Sequence, residues 1–258
     1  MSQYFFEATG RSAVGLIRNG NEDSALLSSH TVAVADGMGG HVGGEVASRI
    51  AINTLADIAP LFSSLELDAD SADDLFLNSA HTIDLALKDA TDDDPALLGM
   101  GTTLTSLFIR HSKISLLHIG DSRAYRLRGN SLELLSVDHT VLQELLTNGA
   151  ISLAEAHDHP QRSMLTQVLM GEGKIAPSLQ IFEAKAKDRY LLCSDGLTGV
   201  LSDKEIKTLV KGKEREDAVS ALIDATYING APDNVTVIIA DISESATITL
   251  EQIGAAKS

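Results

Sequence analysis

Acidic residues recur where apolar runs stop. Asp36 ends TVAVAD, Asp121 ends ISLLHIGD, Asp195 ends YLLCSD, and Asp233 stands just ahead of NVTVII. Asn21, Glu22 and Asp23 form a further polar cluster directly before SALL. Any one of these sites alone reads as an ordinary Asp-Gly or Asp-Asn turn. Together they pose a charge problem, because ionised carboxylates gathered at a sheet edge repel unless a cation or a proton neutralises them. The donors are oxygens, with no cysteine and no HExxH pair among them, which favours Mg²⁺ or Mn²⁺ over zinc. The 12-residue Ca²⁺ loop pattern is absent. A carboxylate-held metal centre is the chemistry this pattern suggests.

The elements that must position these acids follow from periodicity. Short β-like runs open the chain (YFFEAT, SAVGLI, SALLSS, TVAVAD). GGEVASRIAINTLADIA then has helical spacing at Val46, Ile50, Leu55 and Ile58, with Pro60 expected to close it. A second helix is predicted from Ser71 as N-cap. The β runs TLTSLFI, KISLLHIGD, SRAYRLR and SLELLSV follow, with a tight turn at Gly129 and Asn130. A helical piece ends near Gly149, and mixed helix and loop come next. Two strands, two helices and the strand NVTVIIADI complete the pattern, and the last dozen residues read as a loose tail. Strands in adjacent groups with helices between favour antiparallel sheets covered by helices, an α+β class. The expectation is one domain over residues 1–244 and a C-terminal tail over 245–258.

Composition narrows the partners. The 258 residues carry 36 acidic against 20 basic side chains, a net charge of −16. That excess argues against nucleic acid and anionic membrane, which both need clustered Lys and Arg. No stretch approaches the roughly 18–20 apolar residues of a membrane span, and the N-terminus lacks the signs of a signal peptide. The single cysteine, Cys193, lies in an apolar run and reads as a buried hydrophobe. A cytoplasmic, monomeric protein is the expectation.

The ordered motifs resemble the PPM family, the metal-dependent type 2C serine/threonine protein phosphatases, in its short bacterial form. They are Arg18-Asn19-Gly20-Asn21-Glu22-Asp23, Asp36-Gly37-Met38-Gly39-Gly40, Gly101-Thr102-Thr103, Gly120-Asp121-Ser122-Arg123, Ser194-Asp195-Gly196-Leu197 and Asp233-Asn234-Val235-Thr236. The resemblance implies a four-layer αββα sandwich, two antiparallel sheets flanked by helices, with two Mn²⁺ or Mg²⁺ ions at one end. Asp36 would bridge both metals and the Gly37 carbonyl would ligate one. Asp195 and Asp233 would complete the other, with Glu22 and Asp23 acting through water. Asp121, with Asp195, would hold a third, weaker ion. Arg18 would clamp the phosphate. The implied reaction is hydrolysis of phosphoserine and phosphothreonine in proteins by a metal-activated water, opposing a Ser/Thr kinase and its substrates.

The chain also departs from the family. Met38 stands where animal members have a proton-donating histidine, so water at the metals or another group must serve. His41, His139, His157 and His159 read as structural rather than catalytic. Residues 145–177 resemble the bacterial flap, with Gln167 in place of the usual arginine. Two other readings stand beside the enzyme. One is a pseudophosphatase that binds phosphoproteins without turnover, and the other is a phosphatase acting on small acidic regulators.

Overall fold

The computed structural model describes residues 3–39, 43–64, 67–152, 155, 160–161, 164–247 and 249–257. Gly40, His41, His157 and His159 lie outside the described residues. The strands are β1 (Phe5–Ala13), β2 (Asp23–Leu27), β3 (Thr31–Met38), β4 (Gly101–Thr102), β5 (Leu104–Arg110) and β6 (Lys113–Ile119). They continue with β7 (Arg123–Arg128), β8 (Ser131–Leu134), β9 (Leu179–Glu183), β10 (Arg189–Cys193), β11 (Val235–Ser243) and β12 (Glu251–Gly254). The helices are α1 (Gly43–Phe62), α2 (Ala69–Asp93), α3 (Val141–Thr147), α4 (Asp195–Thr198), α5 (Asp203–Val210) and α6 (Arg215–Ile228).

Two antiparallel sheets result. One runs β1-β11-β10-β7-β8, and the other runs β12-β2-β3-β5-β6-β9 with β4 beside β3. Side chains alternate across a strand, so a central strand must find cover on both faces. In β3, Val32 and Val34 enter the core between the sheets, while Ala33 and Ala35 face the core beneath α1 and α2. In β10, Tyr190 and Leu192 join the inter-sheet core, and Leu191 and Cys193 pack with Ile206 of α5 and Leu222 of α6. The layers are therefore helix, sheet, sheet and helix, the four-layer α+β sandwich expected from the motifs. Cys193 is buried, as its apolar run suggested.

Three local expectations change. Helix α1 runs past Pro60 to Phe62, whose ring packs against Phe76 and Phe108 at 5.4 and 5.0 Å. A proline in the last turn leaves that aromatic cluster intact. The N-cap of α2 is Asp68 rather than Ser71: its carboxylate accepts the Ser71 N–H and hydroxyl, each at 2.8 Å. The end of the chain is not a loose tail. Strand β12 pairs with β2, and Ile253 is only 8% exposed in the inter-sheet core.

Strand β12 thus covers an edge that would otherwise be open beside Asp23. Ile253→Ala is expected to cost roughly 2–5 kcal/mol in urea denaturation. Unchanged stability would mean that the segment contributes no core.

Candidate metal-binding active site

Both sheets send their acids to the same end of the sandwich. Asp36 lies near the end of β3, Asp121 follows β6, and Asp195 follows β10 as the first residue of α4. Asp233 precedes β11, and Glu22 precedes β2. These five carboxylates line one cavity of about 210 Å³, together with Arg18, Gly37, Met38, Gly39, Thr103, Leu165 and Asn234. Asp23 does not line it. It is the register partner of Asp36 across β2 and β3, fully buried behind the wall.

Neutral hydrogen bonds hold the acids where they are. The Asn234 side-chain amide donates to the Val14 and Gly20 carbonyls, both at 2.8 Å, and its oxygen accepts the Glu22 N–H at 2.9 Å. One side chain thus staples the loop carrying Arg18 and Glu22 to the start of β11. Behind the cavity, the Ser194 hydroxyl donates to Asp23 Oδ2 at 2.7 Å while its oxygen accepts the Thr236 N–H at 2.9 Å. The Ser12 and Thr236 hydroxyls are 2.7 Å apart, and the Asn21 amide donates to Ser12 at 2.7 Å. Thr103 Oγ1 accepts the Asp36 N–H at 2.9 Å, and the Thr102 hydroxyl donates to the Asp36 carbonyl at 3.0 Å. The glycine after Asp36 is a packing requirement. A Cβ on Gly37 would lie 2.0 Å from the Gly44 carbonyl oxygen and 2.6 Å from that of Glu22. Only a bare backbone lets β3, the start of α1 and the Glu22 loop meet.

The electrostatics are those of uncompensated negative charge. Burial, with repulsion from Asp23, Asp195, Asp121 and Asp233 added, holds the Asp36 carboxyl well above the usual range. Burial first, then neighbouring carboxylates, push Asp23 and Asp121 up to about 7 each. Asp195 and Glu22 are raised for the same primary reason. Against this stands Arg18, whose guanidinium donates to Asp233 Oδ2 at 2.7 Å and is 49% exposed at the cavity. That hydrogen bond raises the Arg18 pKa further.

A hard divalent cation fits this donor set. The donors around the cavity are oxygens, five carboxylates with one arginine beside them. A cation relieves the repulsion that protons otherwise relieve. Among the described residues, no three acids are already closed on one point as a ready ligand set; they stand around the cavity instead.

Sequence reasoning found the acids and Arg18 but missed much of their support. Ser12 had no motif signal of its own, and only the β1–β11 register sets it opposite Thr236; Ser194 lay in a motif, but its bond to Asp23 was not expected. His139 packs away from the acids: its ring stacks on His118 at 4.9 Å, its Nδ1 accepts the Gly120 N–H at 3.2 Å, and it does not line the acid-rich cavity. Gln167 lines a neighbouring concavity of about 180 Å³ rather than the acid-lined cavity. Arg162 and Ser163 of the flap motif lie outside the described residues.

Relatives share this arrangement of sequence and fold. The family model described as "Protein phosphatase 2C" matches residues 21–228. The chain is 40% identical over 235 residues to the serine/threonine protein phosphatase PstP of Mycobacterium tuberculosis, covering 90% of this chain and 44% of that one. It therefore spans less than half the length of that relative. Against the serine/threonine phosphatase stp of Listeria welshimeri it is 32% identical over 237 residues, covering 90% of this chain and 94% of that protein. The crystal structure of the catalytic domain of PstP in complex with two manganese ions matches with a TM-score of 0.83 at 37% identity, over 93% of this chain and 99% of that one. Agreement in sequence and architecture over most of its length makes this chain a member of the protein phosphatase 2C family.

Proposed function

We propose that the chain is a metal-dependent protein serine/threonine phosphatase that opposes a bacterial Ser/Thr kinase in a reducing, cytoplasmic setting. The observation that carries the reading is the gathering of five carboxylates from both sheets around one cavity beside a half-exposed arginine. A buried site so rich in negative charge and so poor in cations is built to hold metal ions rather than to stabilise the fold.

In this reading Asp36 and the Gly37 carbonyl would hold one Mn²⁺ or Mg²⁺. Asp36, Asp195 and Asp233 would hold a second, and Asp121 with Asp195 would offer a weaker third position. Glu22 would act through water at the cavity wall. Asp23, buried behind Asp36, accepts the Ser194 hydroxyl and so ties the start of β2 to the residue before Asp195. Such ions, when bound, supply positive charge for the phosphoryl oxygens and acidify water near neutral pH. Arg18 orients the phosphate with its planar fork, for which its exposure at the cavity leaves room. Thr103 and Asn234 keep Asp36 and the Arg18 loop from shifting during the displacement. Met38 has no proton to give, so the leaving oxygen must take its proton from water or another group. A protein substrate fits better than a nucleic acid on a chain of net charge −16.

Release of phosphate from a phosphothreonine peptide tests this directly. Turnover is expected with Mn²⁺ or Mg²⁺ and not with EDTA, and Asp36→Asn should lower kcat at least about 100-fold. Folded wild type that releases no phosphate under either metal would leave only the phosphoprotein-binding alternative.

Arg18→Lys retains the charge but loses the fork, so KM should rise about tenfold with metal dependence unchanged. An unaltered KM would remove Arg18 from phosphate binding.

The carboxyl shifts set a pH signature for the metal-stripped chain. Asp23 and Asp121 keep their protons in the fold to about pH 7, whereas in the unfolded chain they lose them near about pH 4. Between those values the folded state binds more protons, so stability falls as pH rises and the loss is complete above about pH 7. Urea denaturation in EDTA should give lower stability at pH 7.5 than at pH 5, and Mn²⁺ should stabilise more at the higher pH. An equal gain at both would place the ion away from these acids.

A further inference from the structure

Asp84 lies in the middle of α2, is only 4% exposed, and does not line the acid-rich cavity. Its carboxylate gathers three backbone N–H groups from one distant loop. Oδ1 accepts from Met170 at 3.2 Å and Gly171 at 2.8 Å, and Oδ2 accepts from Gly173 at 2.8 Å. Charge-assisted bonds of this kind order a loop whose amides would otherwise turn to water. Gly171 closes the contact from the other side. It has φ +75°, and a Cβ there would sit 2.5 Å from the Lys88 backbone nitrogen. The loop is therefore seated directly on the α2 backbone.

From this seat the chain leads back to the cavity. Leu169 is fully buried and exchanges both backbone hydrogen bonds with Thr102, at 2.9 and 3.0 Å. The Thr102 hydroxyl in turn donates to the Asp36 carbonyl. Four residues before Leu169, Leu165 lines the cavity and is bridged to Thr140. Residues 164–173 are thus fixed at three places: on the segment around Thr140, on Thr102, and on Asp84. The last is a single side chain holding a whole turn.

We infer that Asp84 is a positioning residue for protein substrates. It fixes the 164–173 arm so that Leu165 and the adjoining backbone form a set wall at the cavity mouth, against which the polypeptide flanking the phosphorylated side chain lies. The assignment rests on the phosphatase reading above. A small phosphate ester enters the cavity without crossing this arm, whereas a peptide must cross it. A lesion at Asp84 therefore shows in peptide KM rather than in the chemical step. The carboxylate itself is required, because an asparagine keeps one acceptor oxygen but turns an NH₂ toward the Gly173 N–H, donor against donor.

The test compares wild type, Asp84→Asn and Gly171→Ala, two lesions on opposite sides of the same contact. Steady-state kinetics on a phosphothreonine peptide and on p-nitrophenyl phosphate with Mn²⁺ would be read beside amide hydrogen exchange. Both variants should raise KM for the peptide about fivefold to tenfold, with kcat and the aryl phosphate kcat/KM within about twofold. Exchange should quicken across residues 164–173. Equal losses on both substrates that follow a fall in Tm would reduce Asp84 to a stability residue and overturn the assignment, as would faster exchange with peptide KM unchanged. Wild type that turns over neither substrate would remove the phosphatase reading and this role with it, while the exchange data would still report the anchor.

Discussion

Mutual repulsion among carboxylates is the constraint on which the rest of this structure depends. Asp36, Asp195, Asp121 and Asp233 share one cavity with Glu22, and Asp23 lies directly behind them. One half-exposed arginine cannot offset that charge, since its field is largely screened by water. The acids would separate unless something other than charge held them. What holds them is a set of neutral hydrogen-bonding groups: the Ser194 hydroxyl donates to Asp23, Thr103 accepts from and Thr102 donates to the Asp36 backbone, and Asn234 accepts the Glu22 N–H. Neutral groups satisfy buried polar atoms without cancelling the charge, so the site stays rigid and still attracts cations.

The excess acid here is not simply a sample of an acidic chain. At the other end of β10 and β11, charge is closely balanced. Arg189 makes two bonds to Asp241, at 2.7 and 2.8 Å, and Arg215 bonds both Glu7 and Asp241. Arg128 clamps Asp188 in the same way. The same two strands therefore carry balanced charges at one end and an excess of acid at the other, where Arg18 bonds Asp233. Burial on both faces makes this possible, because strands gripped by the inter-sheet core and a helical layer cannot splay when their ends repel.

How much of this was legible in the sequence follows from what each feature depends on. The acids were visible because each interrupts an apolar run, and β3 and β10 were visible because both faces are buried and the runs are nearly unbroken. The hydroxyls of Thr102, Thr103, Ser194 and Thr236 fall within the motifs, but the bonds they make were not visible, and Ser12 was not visible at all. Ser12 sits in a strand among polar neighbours, and its partner Thr236 is 224 residues away, so only the register joins them. Strand β12 escaped notice because Glu251, Gln252 and Gly254 surround a single apolar residue, and its pairing with β2 is likewise a tertiary matter. The N-cap of α2 was misplaced by three residues because Asp68 and Ser71 are both capping types, and the longer reach of the carboxylate takes the Ser71 amide.

Thr102 ties the chemistry to its surroundings. Its hydroxyl serves the strand that carries Asp36, and its backbone serves Leu169 in the arm that reaches the cavity mouth. Gln167 and Val168 fall between that anchor and the one at Thr140, and they face a separate concavity of about 180 Å³ beside Asp84. Substitutions there can reshape the surface a substrate meets while both anchors, and the Asp36 strand end behind them, stay in place. A loop pinned on each side of its variable residues lets recognition change without moving the metal ligands. Gln167 is therefore a position that can vary without displacing the carboxylates around the cavity.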